Sequence, residues 1–193
     1  MILTALPFNL ISRRESLNVK EKVVLAFAIA CLTGLLAQVR FNLFWTPIAI
    51  TGQTFAVFLS AIILGKWWGG ASQFIYACLG FMGVPWFSGL SGGIAFVFSP
   101  SVGYIIGFIF ASLFLGYFFE KYREISFANA LVLMFFANIV FIYGAGIIAL
   151  YFFRIASSFS SLLAIGVMPF LAGDIVKIFT AAAIAKAAAK NNF

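Results

Sequence analysis

The chain has 193 residues, 64% of them hydrophobic and 9% charged, with a formal net charge of +7 and a mean hydropathy of +1.14. A soluble globule of this length needs a charged exterior, so the composition excludes one and leaves an integral membrane protein. The apolar runs are continuous over roughly 15 to 25 residues rather than alternating over about ten, which excludes a β-barrel and predicts an all-α bundle.

In chain order, residues 1–20 read as a cytoplasmic N-terminal segment. Its apolar start precedes Arg13 and Arg14, the reverse of the order in a cleavable leader. Residues 21–193 then form a single membrane domain with six predicted spans, at 22–39, 51–65, 67–83, 101–119, 127–152 and 168–188. The second and third are short and joined at Gly65-Lys66, which predicts a tight hairpin or a thinned stretch of bilayer. Cys31 and Cys78 fall inside spans, where they act as small apolar residues rather than as a disulfide framework.

The basic residues set an orientation. In the six-span arrangement Arg13, Arg14, Lys20, Lys22, Lys66, Lys121, Arg123, Lys186 and Lys190 share one side, and only Arg40 and Arg154 fall on the other. This asymmetry places both termini in the cytoplasm. Basic residues scattered singly between spans give no nucleic-acid footprint. Small residues recur every four positions at Ala26, Ala30 and Gly34 on the first span, and at Gly103, Gly107 and Ala111 on the fourth. Such stripes let helices approach closely within a bundle. The first stripe is also the candidate docking face for a second membrane protein.

Two segments on the outer side are rich in turn and polar residues. One runs from Trp45 to Thr54, with Pro47, Thr51, Gln53 and Thr54; the other, Gly83 to Gly93, carries Trp86, Phe87, Ser91, Gly92 and Gly93. Dense glycine allows backbone N–H groups to approach a ligand, and the two aromatic rings offer flat apolar surface. Tyr104 opens the fourth span. In the last span Asp174 and Lys177 stand three residues apart, about 60° around a helix, and so share a face. A carboxylate and an ammonium at bilayer depth point inward, paired or toward a cavity, and mark a candidate site. Read alone, the pair serves either as a structural ion pair or as the floor of a solute-capture pocket.

What is missing narrows the chemistry. No histidine occurs, which removes Ser-His and Cys-His nucleophiles and leaves no basis for a metal site. No G-x-x-x-x-G-K-[ST] occurs, so the chain has no ATP-hydrolysing loop of its own. The residues predict binding rather than catalysis.

Four ordered motifs resemble the BioY family, the biotin-specific S components of energy-coupling-factor (ECF) vitamin transporters. Residues Pro47-Ile48-Ala49-Ile50-Thr51-Gly52-Gln53-Thr54 are similar to the family's PVPITLQT. Leu79-Gly80-Phe81-Met82-Gly83-Val84-Pro85-Trp86-Phe87-Ser88-Gly89 resembles LGxxGLPVFAG. Gly92-Gly93 with Ser99-Pro100-Ser101-Val102-Gly103-Tyr104 resembles GG…GPTGGY, and Pro169 to Lys177 resembles PFLPGDLLK. The chain departs at Gly52, Ser99 and Ala172, where the family often has Leu, Gly and Pro; none of the three alters a charged group.

The resemblance implies a six-helix subunit of the cell membrane that captures biotin from outside and hands it inward. It implies a transmembrane coupling protein (the T component) and two cytoplasmic ATPases as partners, with ATP used only by the latter and no cofactor in this chain. Docking would run through an A-x-x-x-A face, here Ala26 and Ala30. In the expected site Asp174 accepts from the ureido N–H groups and Lys177 donates to the ureido oxygen or to the carboxylate. Trp86, Phe87 and Tyr104 cover the apolar ring, and Gln53 adds a hydrogen bond. Ser91 to Gly93 or Arg40 would meet the carboxylate. An S component for thiamine, riboflavin or folate, or a membrane scaffold without a ligand, are the competing readings.

Overall fold

The computed structural model describes residues 17–122 and 124–190, so all but the last four residues of the predicted N-terminal segment lie outside the described residues. Helix α1 (Val19–Gln38) begins at a capping box: the Glu21 N–H donates to Asn18 Oδ1 at 2.9 Å, and the Asn18 N–H to Glu21 Oε2 at 2.8 Å. These reciprocal bonds satisfy two orphan donors of the first turn. A two-residue antiparallel ladder follows, β1 (Arg40–Phe41) on β2 (Ile50–Thr51), with Arg40 opposite Thr51. So short a ladder has no alternation for a sequence pattern to reveal.

Helix α2 (Gln53–Phe81) covers the second and third predicted spans and folds back on itself. Gly65 has φ +74° and ψ −161°, a conformation open essentially only to glycine. Gln53 Nε2 donates to Tyr76 Oη at 2.7 Å, although 23 helical residues would hold them about 34 Å apart on a straight helix. The two arms are therefore antiparallel, and the hairpin expected at Gly65-Lys66 is present. Gly116 of α3 (Val102–Lys121) lies against the Gly65 backbone with no room for a Cβ.

A 3-10 turn at Ile94–Phe98 precedes α3. Helix α4 (Phe127–Phe152) is α-helical except for a π-helical stretch, Asn138–Tyr143. The short α5 (Phe159–Gly166) starts at Ser158, whose Oγ accepts from the Ser161 N–H at 3.2 Å. Helix α6 (Met168–Lys190) completes the bundle. Helices α3, α4 and α6 are each long and apolar enough to cross a membrane, and α2 reaches that length only with its two arms taken together. With α1, and with α2 taken as two arms, six long helical segments form the expected all-α bundle.

The glycines at 103 and 107 seat α3 on the backbone of α4, against Ala145 and Phe141. The stripe on α1, the expected docking face, is also packed within the chain. Ala26 and Ala30 are fully buried, and Gly34 lies under Trp86. The close approach that small residues permit is used by α2 and its following loop, and Val24, Ala28 and Leu35 form the exposed face of α1 instead.

The ends of the bundle differ in charge. The Lys66 N–H donates to Glu120 Oε1 at 3.0 Å, which brings the α2 turn beside the C-terminus of α3. Lys66 and Lys121 flank Tyr117 there, their ammonium groups 5.5 and 5.9 Å from its ring centroid. Arg40 sits at the opposite end, where the Gly52 N–H donates to Leu36 O at 3.0 Å and ties the start of α2 to the end of α1. Arg13, Arg14 and Arg123 lie outside the described residues.

Candidate functional site

At the Arg40 end the bundle encloses a cavity of about 260 Å³, small for a ligand site but of the right order. Its polar lining comes from the ladder (Arg40, Thr51), the first turn of α2 (Gln53, Thr54), the start of α3 (Tyr104), the π stretch of α4 (Tyr143) and α6 (Asp174, Lys177). Ile105, Phe108, Ile142 and Phe170 supply apolar wall.

The carboxylate of Asp174 is 3% exposed and accepts four hydrogen bonds. Its Oδ1 takes Lys177 Nζ at 2.6 Å and Thr54 Oγ1 at 3.1 Å; its Oδ2 takes Tyr143 Oη at 2.6 Å and Asn138 Nδ2 at 3.0 Å. Lys177 spends its other two donors on the Thr51 carbonyl at 2.7 Å and on Thr54 Oγ1 at 2.9 Å. A buried ion pair offsets its desolvation only when its remaining positions are hydrogen-bonded, and this one meets that condition. The count also changes the expected roles. With four acceptor positions filled on the carboxylate and three donors used on the ammonium, neither group has an open position in this structure.

The π stretch is what lets α4 reach Asp174 twice. In an α-helix, residues five apart point about 140° away from each other. A π-helix closes its bonds at i→i+5, so Asn138 and Tyr143 come nearly into line and converge on the same oxygen. Asn138 Oδ1 is left as a buried atom with no partner among the described residues, as is Ser88 Oγ.

Of the sequence-predicted site residues, Asp174, Lys177, Gln53 and Tyr104 line the cavity. Gln53 is held from both sides: Nε2 donates to Tyr76 Oη at 2.7 Å, and Oε1 accepts from Thr51 Oγ1 at 2.8 Å. Tyr104 Oη donates to the Gly166 carbonyl at 2.7 Å. Trp86, Phe87, Ser91, Gly92 and Gly93 are not brought to the cavity. The Trp86 indole N–H donates to the Tyr76 carbonyl at 3.0 Å, and Phe87 is fully buried against Gly80, Tyr76 and Phe81. Phe96 is the loop ring that faces the cavity, with Phe87 behind it at 4.5 Å between centroids.

The glycine loop uses its polar groups on itself. Ser91 Oγ donates to the Ser88 carbonyl at 2.8 Å, the Gly93 N–H donates to Gly80 O at 2.7 Å, and a Cβ at Gly92 would strike the Val84 carbonyl. A loop without periodicity does not reveal which of its residues turn inward, and here Ser88, Ser99 and Ser101 do. Sequence reasoning gave no role to Thr51, Thr54, Asn138 or Tyr143. Asn138 carried a usable signal, a lone amide in the middle of an apolar run.

A model of the BioY family matches residues 12–192. The chain is 41% identical over 135 residues to a probable biotin transporter BioY of Methanothermobacter thermautotrophicus, covering 67% of this chain and 86% of that protein. It is 34% identical to a probable biotin transporter BioY of Pyrococcus horikoshii, covering 88% and 96% of the two chains. It is likewise 34% identical to the biotin transporter BioY of Thermotoga maritima, over 72% of this chain and 79% of that one. Its fold matches the crystal structure of the S-component for biotin from an ECF-type ABC transporter, with a TM-score of 0.80 at 22% identity over 89% and 92% of the two chains.

Proposed function

This chain belongs to the BioY family, and on that premise we propose that it is the biotin-binding membrane subunit of an ECF-type uptake transporter. It is a transport subunit and not an enzyme. The observation that carries the reading is the polarity of the cavity. Its lining brings together the buried Asp174–Lys177 cluster, the apolar side chains of Ile105, Phe108, Ile142 and Phe170, and the exposed Arg40 with Ser99 and Ser101. Biotin carries groups of the matching kinds: a ureido ring that donates and accepts, an apolar thiophane, and a carboxylate on a four-carbon chain.

The ureido ring belongs at the Asp174 cluster, where Gln53 keeps one amide N–H to offer its oxygen. The thiophane lies against Ile105, Phe108 and Phe170. The carboxylate meets Arg40, whose guanidinium matches it in geometry and charge. The end carrying Lys66 and Lys121 faces the cytoplasm, so the cavity opens to the outside and both termini lie inside. Release inward is coupled to ATP hydrolysis in two partner ATPases through a transmembrane T component in the cell membrane.

Calorimetric titration of the detergent-purified protein tests this reading. Biotin binds, and thiamine, riboflavin and folate do not. Binding of one of the other vitamins instead would make the chain an S component of different specificity, and no binding by any of the four would favour a scaffold.

A further inference from the structure

Within the biotin-binding reading, on which this inference rests, one question is which atom accepts the ligand's ureido N–H. The Asp174 carboxylate is the obvious choice by charge, yet all four of its acceptor positions are taken by protein donors. A ligand N–H would have to expel one of them, and the two shortest bonds, from Lys177 and Tyr143, are both 2.6 Å.

The Tyr143 hydroxyl is placed differently. Its single proton is committed to Asp174 Oδ2, which leaves its oxygen with acceptor capacity. Tyr143 lines the cavity along with Asp174, so the bond between them lies at the wall. Donation to a carboxylate also polarises the O–H and strengthens the oxygen as an acceptor, since linked hydrogen bonds reinforce one another.

We propose that Tyr143 is a specificity-determining residue that accepts a ureido N–H of the ligand, with Asp174 fixing the direction of its hydroxyl. The π stretch brings the hydroxyl there, because an uninterrupted α-helix through Asn138 would swing Tyr143 off Asp174. Asn138 is a positioning residue in this scheme: it donates to the same carboxylate oxygen at 3.0 Å and holds it from the other side. The selection that follows is for a neutral donor. A ring bearing N–H finds a polarised oxygen, whereas an analogue with oxygen or N-methyl in that position faces a lone pair or a clash.

The test pairs protein and ligand changes. Wild-type protein and Tyr143→Phe are titrated calorimetrically with biotin and with the two analogues methylated at one or the other ureido nitrogen. Tyr143→Phe weakens biotin binding at least tenfold, the usual scale for a lost buried acceptor. It changes the affinity for one of the methylated analogues by less than threefold, because that contact is already absent. If Tyr143→Phe does not fold, Tyr143→4-aminophenylalanine keeps an N–H donor for Asp174 on the same ring while its nitrogen lone pair is withdrawn into the ring, and it shows the same pattern. Equal biotin affinity in wild type and variant overturns the proposal, as does an equal loss for biotin and both analogues, which would mark a structural role. If wild-type protein does not bind biotin at all, the fault lies in the functional reading instead.

Discussion

In Asp174→Asn the side chain keeps its volume, but one carboxylate oxygen becomes an NH₂ group among four donors. If the NH₂ takes the Oδ2 position, Asn138 relieves the conflict by turning its amide, since its own Oδ1 has no partner among the described residues and can then accept. The Tyr143 hydroxyl rotates to accept the second N–H. The hydrogen bonds are therefore recoverable, and the charge is not. Lys177, its side chain 17% exposed, loses the counter-ion 2.6 Å away. Removing one member of a buried pair costs about 3–5 kcal/mol. With the amide turned and the lysine partly exposed, the lower end applies, about 3 kcal/mol.

The double variant Asp174→Asn/Lys177→Met removes both charges, and replacing a whole buried pair is often close to neutral. It should recover to within about 1–2 kcal/mol of wild type, the remainder being the Thr51 carbonyl left without its donor. Equilibrium unfolding by SDS in mixed micelles, followed by tryptophan fluorescence, measures all three proteins. The reasoning is refuted if Asp174→Asn is as stable as wild type, or if the double variant is less stable than Asp174→Asn alone.

Arg40→Gln should weaken biotin by about 10–100-fold, the worth of a hydrogen bond to a charged group, and leave biotinamide almost unaffected; calorimetry with both ligands separates a carboxylate contact from a general defect. Because Ala30 is fully buried against α2, Ala30→Trp should lower folded yield and unfolding midpoint. Ala28→Trp, on the exposed face of α1, should leave both biotin binding and the unfolding midpoint unchanged. At Gly116 an added Cβ would meet the Gly65 backbone, which has no alternative conformation available, so Gly116→Ala should cost about 2–3 kcal/mol. Gly144→Ala, with its nearest neighbour at 3.8 Å, should change stability by less than about 1 kcal/mol in the same unfolding assay.

Several features were legible because they depend only on local chain properties. Spans follow from runs of apolar residues, and the reversal at Gly65 from an interruption too short for a loop. Asp174 and Lys177 followed from the cost of charge at bilayer depth, which leaves an inward face as their only place. Side-chain roles in the irregular segments were not legible. Phe87 and Phe96 are both loop phenylalanines, and only the packing of Phe87 on Gly80 sends one into the core and the other to the cavity. The stripe of Ala26, Ala30 and Gly34 shows the same ambiguity, since a surface that admits a close neighbour does not say whether that neighbour is in the same chain.

By itself, then, the sequence determined that this protein is a helical membrane bundle with one polar pair at depth, because hydrophobic runs and desolvation penalties act on each segment without reference to the others. Tertiary structure decided what that pair does. One extra residue per turn in α4 brings Asn138 and Tyr143 onto Asp174, and the ladder and the first turn of α2 bring Thr51 and Thr54 onto Lys177. These are meetings of residues 31 to 126 positions apart, and only a folded chain can set their geometry.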